Sequence, residues 1–207
     1  MLRPMSSAKG RLFRFFSSVA LREARVLASE RRGELLEITL DAVDGAQPGD
    51  RIQVLLPGDD VRTYTPVPGH RPRLLVQLHG DTPGPRWARA LRPGDVVRFK
   101  GPDRCVQLPE GPVALVGDAT SIATALGFLQ ARPDQVTCLI EGPAPFEGLR
   151  SFSAGDHQAI AAAVPGGCSV LLTGGSALVQ GVRAFLRERG LPARSKAYWA
   201  PGRVGMD

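Results

Sequence analysis

The sequence predicts a two-part β + α/β protein: an antiparallel β-barrel followed by a small α/β domain built on a parallel sheet. Three observations carry this. Between residues 20 and 100, short segments alternate apolar and polar residues between turn signals, as half-buried antiparallel strands do. Beyond residue 109 the apolar runs become near-continuous, as in strands covered on both faces, and helical patterns alternate with them. The turn-rich "LPEGP" between the two halves puts the boundary between residues 109 and 110.

Residues 1–19 form a basic lead-in whose apolar cluster "LFRFFSSVA" is interrupted by Arg14. The first domain, residues 20–109, should hold six strands: "LREARVLAS", "ELLEITLD", "DRIQVLLP", "VRTYTP", "RLLVQLHG" and "DVVRFKG". Six strands at this spacing make a small barrel or sandwich. The one interruption, "GPRWARALRPGD", reads as a short helix that starts at Pro85 and stops at Pro93-Gly94. The second domain, residues 110–207, should hold the strands "PVALVGD", "VTCLIE" and "CSVLLTGG". The helices "TSIATALGFLQ", "HQAIAAAV" and "SALVQGVRAFLRERG" alternate with them. In the last of these Leu178, Val182, Phe185 and Leu186 recur at helical spacing, and Gly190 is a stop signal. This is a nucleotide-binding layout.

Composition narrows the function classes. The chain has 207 residues, 43% hydrophobic and 22% charged, as ordinary globular proteins do. No stretch approaches the roughly 18 to 20 apolar residues of a membrane span, so a cytoplasmic protein is expected. The three cysteines form no CxxC pair, which argues against a disulfide framework and a zinc site; Cys138 and Cys168 read as buried thiols. The net charge of +6 is spread over scattered arginines with 6% aromatics, not gathered in the stripe a nucleic-acid binder needs. The patterns GxxxxGK(S/T), GxGxxG, HExxH and GxSxG are absent. The histidines lack metal-ligand spacing, so no protein-bound metal is expected, and His70 and His157 read as surface residues.

Three places carry candidate chemistry. Arg62 and Tyr64 are two apart on one strand and so share a face. They fit either a solvated arginine beside a half-buried tyrosine on an edge strand, or a partner both anionic and flat. "VGDAT" ends the first parallel strand, where Asp118 or Thr120 can cap the next helix beside its free N–H groups. "LLTGGS" repeats that geometry, with Gly174 and Gly175 allowing close approach to the backbone and Ser176 as the cap. Such glycines occur in any loop of this kind, but two at one sheet edge point to a nucleotide site. "HGDTPGPRW" offers a third anion site at a helix start. Glu141 ends the second parallel strand 24 residues after Gly117, near where an acid meets a ribose 2′-hydroxyl; a solvated strand-end glutamate fits as well.

The combination of "RTYTP", "LVQLHGDTPGPRWARALRPGDVVRFKGP", "LVGDATSIATAL" and "AYWAPGR" resembles the siderophore-interacting (ferric-chelate reductase) branch of the ferredoxin-reductase superfamily. The resemblance runs from about Arg22 to Gly202. It implies that the barrel binds FAD, with Arg62 on the pyrophosphate, Tyr64 on the isoalloxazine and Thr65 near its reactive nitrogen. His79 and the helix start at Gly84, Pro85 and Trp87 would hold the adenosine side. It further implies a reductase that passes electrons from NADH or NADPH through FAD to a ferric siderophore or other small ferric chelate, with Lys196 and Trp199 on the chelate's route. The alternatives are a flavin reductase with a protein or quinone acceptor, and a non-catalytic flavin-binding protein. Two departures stand out. Only residues 142–167 separate Glu141 from Cys168, so the nucleotide domain looks short of a strand. The family's terminal Gly-Tyr-Trp-Arg is here Ala197-Tyr198-Trp199-Ala200.

Overall fold

The computed structural model describes residues 21–200, so the basic lead-in and Arg203 lie outside the described residues. The chain divides into two compact units, one ending at Cys105 and the other starting at Val106.

The first unit contains β1 (Arg22–Arg32), β2 (Leu35–Leu40), β3 (Asp50–Leu56), β4 (Asp60–Tyr64), β5 (Pro66–Val67), β6 (Arg73–Gln77), helix α1 (Pro83–Ala90) and β7 (Val96–Arg104). They form one antiparallel sheet in the order β4-β3-β7-β1-β2-β6-β5. Its two end strands are separated in the chain by Thr65 alone, which makes the sheet a barrel. The expected strand "VRTYTP" is thus two strands, because Pro66 cannot continue the β4 ladder and instead begins a short pairing with β6. Alternation fills the barrel: Ile52, Val54 and Leu56 of β3 are buried while Arg51, Gln53 and Leu55 are half-exposed. Helix α1 adds Trp87 and Ala88 to the same core as Ile38, Leu74 and Phe99. It begins at Pro83 rather than at Pro85, since a proline at the first helical position forfeits an N–H that has no partner there.

The second unit contains β8 (Val113–Gly117), a 3₁₀ turn (Ala119–Ser121), α2 (Ile122–Ala131), β9 (Val136–Glu141), β10 (Leu149–Phe152), α3 (His157–Ala162), β11 (Ser169–Gly175), α4 (Ser176–Glu188) and β12 (Ala193–Trp199). The sheet is parallel throughout, in the order β10-β9-β8-β11-β12. Successive strands run outward one way from β8 to β10 and then the other way from β11. The topological switch point therefore lies between β8 and β11, where doubly wound sheets open a ligand crevice at the carboxyl ends. Residues 142–167, expected to lack a strand, supply β10 and α3. Both strands missing from the sequence expectation, β10 and β12, are sheet edges that bury little and so carry no apolar run. Among the described residues, no helix is long and apolar enough to cross a membrane.

Candidate functional site

In the first unit the site grows from the register of β4 on β3. Tyr64 lies opposite Ile52, Arg62 opposite Val54 and Asp60 opposite Leu56. Directly opposed residues share a face, so all three β4 side chains stand on the side that carries the barrel core. They sit on the end strand, where that face is only half-covered. Tyr64 stacks on Trp87 of α1, with ring centroids 5.8 Å apart and planes 27° from parallel. Burial pushes the Tyr64 hydroxyl well above the ordinary tyrosine range, and the Asp60 carboxylate adds to this while Arg62 opposes it. The phenol therefore stays neutral.

The start of α1 closes on the same two residues. A Cβ on Gly84 would come within 2.8 Å of the Tyr64 hydroxyl and 3.8 Å of Arg62 Cγ, so only glycine fits. Pro83 and Pro85 carry no N–H, which leaves Gly84 as the donor of the first turn, and Thr82 at the N-cap makes no side-chain cap bond. Arg62 donates through Nη1 to Asp60 Oδ1 at 2.5 Å and to the Val61 carbonyl at 2.8 Å. That anchors one nitrogen and leaves the Nε and Nη2 edge of the guanidinium for an anion. Thr65 is half-buried between β4 and β5, and His79 is exposed just past β6. The backbone flanking His79 is held by Arg89, which donates to Leu78 O at 3.2 Å and Gly80 O at 3.4 Å. The pattern "GPRW" is therefore the half of the site that meets Arg62 and Tyr64. Sequence reasoning missed Asp60 and Arg89; Asp60 was legible as the next residue in the alternation that paired 62 with 64.

In the second unit the switch point is filled from within. Asp118 caps the 3₁₀ turn, accepting from the Thr120 N–H at 2.9 Å and the Thr120 hydroxyl at 2.5 Å. Its other oxygen accepts from the Gly175 N–H at 2.7 Å and from the Trp199 indole N–H at 3.0 Å. The two glycines make room for these side chains. A Cβ on Gly174 would lie 2.7 Å from the Asp118 carboxyl carbon, and one on Gly175 2.7 Å from the Trp199 ring. Gly174 and Gly175 thus admit these two side chains to the backbone, the close approach that the sequence reading assigned to a ligand. The expected cap at Ser176 is corrected: Gly175 holds the N-cap position without a side-chain bond, and Ser176 is the first residue of α4. Beneath this layer Thr173 donates to Ser121 at 2.8 Å, both fully buried, and Gly117 is required because a Cβ would lie 2.3 Å from Ser121. Trp199 itself is 45% exposed, whereas Tyr198 is half-buried with its hydroxyl 3.1 Å from Thr124. Lys196 is half-buried on β12 opposite Thr173, and Arg194 is exposed.

Glu141 is not a solvated strand end. It accepts from the Gly155 N–H at 2.8 Å and lies 3.2 Å from His157 Nε2. The imidazole lies against Gly181 of α4, so the expectation of His157 as a surface residue is corrected. Cys138 is buried and its thiol is pushed up to about 12 by desolvation, but Cys168 is half-exposed, contrary to expectation. Among the described residues, no group of three or more His, Cys, Asp or Glu is placed to hold a metal ion.

No family model and no curated protein matches the sequence. Solved structures do match. A siderophore utilization protein from T. fusca is 20% identical, with 90% of this chain and 95% of that one covered and a TM-score of 0.73. A siderophore-interacting protein from Aeromonas hydrophila is 21% identical, with 89% and 93% covered and a TM-score of 0.69. The flavohaem-like FAD/NAD-binding domain of a nitric oxide dioxygenase from Vibrio cholerae is 17% identical, with 87% and 99% covered and a TM-score of 0.66. A seven-stranded antiparallel barrel followed by a five-stranded parallel sheet is the ferredoxin-reductase-like FAD/NAD-binding fold. Siderophore-interacting proteins are among the solved chains that share it over nearly their whole length.

Proposed function

We propose that the chain is a flavoprotein oxidoreductase that binds FAD on its barrel and passes electrons from NADH or NADPH to a small ferric chelate. The observation that carries this is the convergence of Arg62, Tyr64 and the Gly84 turn on one side of β4. An anchored guanidinium, a flat phenol kept neutral and a glycine turn suit a ligand with a pyrophosphate and an aromatic ring. Arg62 would hold the pyrophosphate and Tyr64 the ring face, with Thr65 beside them and His79 toward the adenosine. Bound FAD would supply the redox chemistry, taking electrons in pairs and releasing them singly. Reduction of the chelated iron weakens its hold on hard oxygen ligands and frees it. The protein then needs no acid, base or nucleophile of its own.

The donor side is less prepared. At the switch point the Thr120 and Gly175 N–H groups are bound to Asp118 and the Trp199 ring lies against Gly175, so a nicotinamide entering there would have to displace that ring. That observation favours, as a second reading, a non-catalytic flavin-binding protein; a flavin reductase with a protein or quinone acceptor is the other alternative. Glu141, once released from His157, would favour NADH over NADPH by repelling a 2′-phosphate.

The test is direct. The purified protein should be yellow, NADH should bleach it, and ferric citrate should restore the colour. Lys196→Glu should slow that last step at low salt and less so at high salt. A colourless protein that ignores added FAD ends the flavin reading. A yellow protein that neither NADH nor NADPH bleaches replaces the reductase with a non-catalytic flavin-binding protein.

A further inference from the structure

Resting on the flavin reading, we infer that Trp87 is a positioning residue for the isoalloxazine. Buried beneath Tyr64, it fixes the plane of the phenol on which the flavin ring stacks, and it touches no part of the cofactor itself. Trp87 is 9% exposed and belongs to the barrel core with Ile38, Leu74 and Phe99. Almost none of its ring is left for a ligand, so a direct contact with adenosine does not suit it. Its contact with Tyr64 is of another kind. The ring centroids are 5.8 Å apart and the planes 27° from parallel, an offset stack of the sort aromatic pairs prefer.

Tyr64 needs that support because of where it stands. It is the last residue of the end strand β4, half-buried at the margin of the core. A phenol in such a place can swing between rotamers unless something packs on it. Helix α1 removes the freedom at two points. Gly84 and Trp87 are three residues apart in this helix and so adjoin on one face of it. Gly84 abuts the Tyr64 hydroxyl, and Trp87 lies along the ring. With one face of the phenol covered, a flat ligand has the other. A ring already held in its binding geometry has little rotamer freedom left to lose when the ligand arrives, which is worth about three- to tenfold in affinity. The motif "GPRW" thus gives Tyr64 its clearance at the glycine and its floor at the tryptophan.

The experiment compares wild type, Trp87→Leu, Trp87→Phe, Tyr64→Ala and the double variant Tyr64→Ala/Trp87→Leu. Dissociation constants of FAD and of ADP are measured by ultrafiltration, together with the fluorescence of the bound flavin, which a stacked phenol quenches. Thermal melts check folding, and Trp87→Met replaces Trp87→Leu if the latter does not fold. Trp87→Leu should weaken FAD about three- to tenfold and brighten the bound flavin, while ADP binds as to wild type. Trp87→Phe keeps a ring under Tyr64 and should stay close to wild type in both readouts. In the Tyr64→Ala background, Trp87→Leu should cost nothing further, because the residue it acts through is gone. A loss that persists in that background, or that falls equally on ADP, makes Trp87 a direct contact and overturns the inference. So does a folded Trp87→Leu that binds FAD as wild type does, or a Trp87→Phe as weak as Trp87→Leu. All of these leave the flavin reading in place, whereas a wild type that binds no FAD overturns both.

Discussion

The indole N–H of Trp199 is bound to Asp118 Oδ2 at 3.0 Å, joining the last residue of β12 to the residue that follows β8. The same oxygen holds the Gly175 N–H at 2.7 Å, so one carboxylate closes the switch point with three elements. Trp199→Ala should lower the NADH concentration needed for half-maximal flavin reduction by about tenfold, the worth of one hydrogen bond to a charged group. Stopped-flow reduction over a range of NADH concentrations measures it. An unchanged or higher half-saturation would mean the indole is no obstacle.

Arg62→Ala and Tyr64→Ala should each strip most of the FAD. The arginine change removes a charge-assisted phosphate contact on the order of 1.5 to 3 kcal/mol. The tyrosine change also breaks the stack on Trp87 and should lower the melting temperature, whereas Arg62→Ala should leave it nearly unchanged. The ratio of flavin to protein absorbance, read beside a thermal melt, separates the two effects.

Gly181→Ala should destabilise the second unit by about 1–3 kcal/mol, because the added methyl would lie 2.0 Å from His157 Nδ1. Displacing the imidazole also breaks its contact with Glu141. Adding His157→Ala should restore much of the loss, so the urea midpoints of the two single variants and the double variant should be far from additive.

Cys138 gives an alkaline signature. Burial holds its folded pKa at about 12, well above the 9.0 of an exposed thiol. The folded state therefore keeps a proton that the unfolded chain has lost between those values, and stability falls as pH rises through that window. Below about 9 the contribution is fully present. From pH 8 to pH 10.5 wild type should lose on the order of 1–2 kcal/mol more than Cys138→Ala, as read from urea midpoints. Equal losses in the two proteins would assign the alkaline instability elsewhere.

What the sequence made legible follows from how much each element buries. β3 alternates in "DRIQVLL" because one face is core and the other is not, and β8 reads as a solid apolar run because both faces are covered. β10 and β12 lie at sheet edges, where neither constraint writes a pattern into "LRSF" or "ARSKAYW". The Arg62 and Tyr64 pairing was visible because strand geometry fixes which residues share a face. The role of Gly174 and Gly175 was not, since a glycine reports that something must come close and is silent on whether that is a ligand or, as here, Asp118 and Trp199.

The placement of β7 has a consequence for how the chain is made. It pairs with β1 around Ala24 and with β3 around Val54, so the centre of the barrel is the last of the unit's strands to be synthesised. Until Arg104 has left the ribosome, β1 and β3 each keep an unpaired edge, and no shorter nascent chain can close the barrel. The second unit has no such wait, because its central β8 is also its first strand and each later strand can add to an edge already present. Nascent chains stalled just before β7 should therefore be the ones most dependent on chaperones, and chains stalled between β9 and β11 much less so.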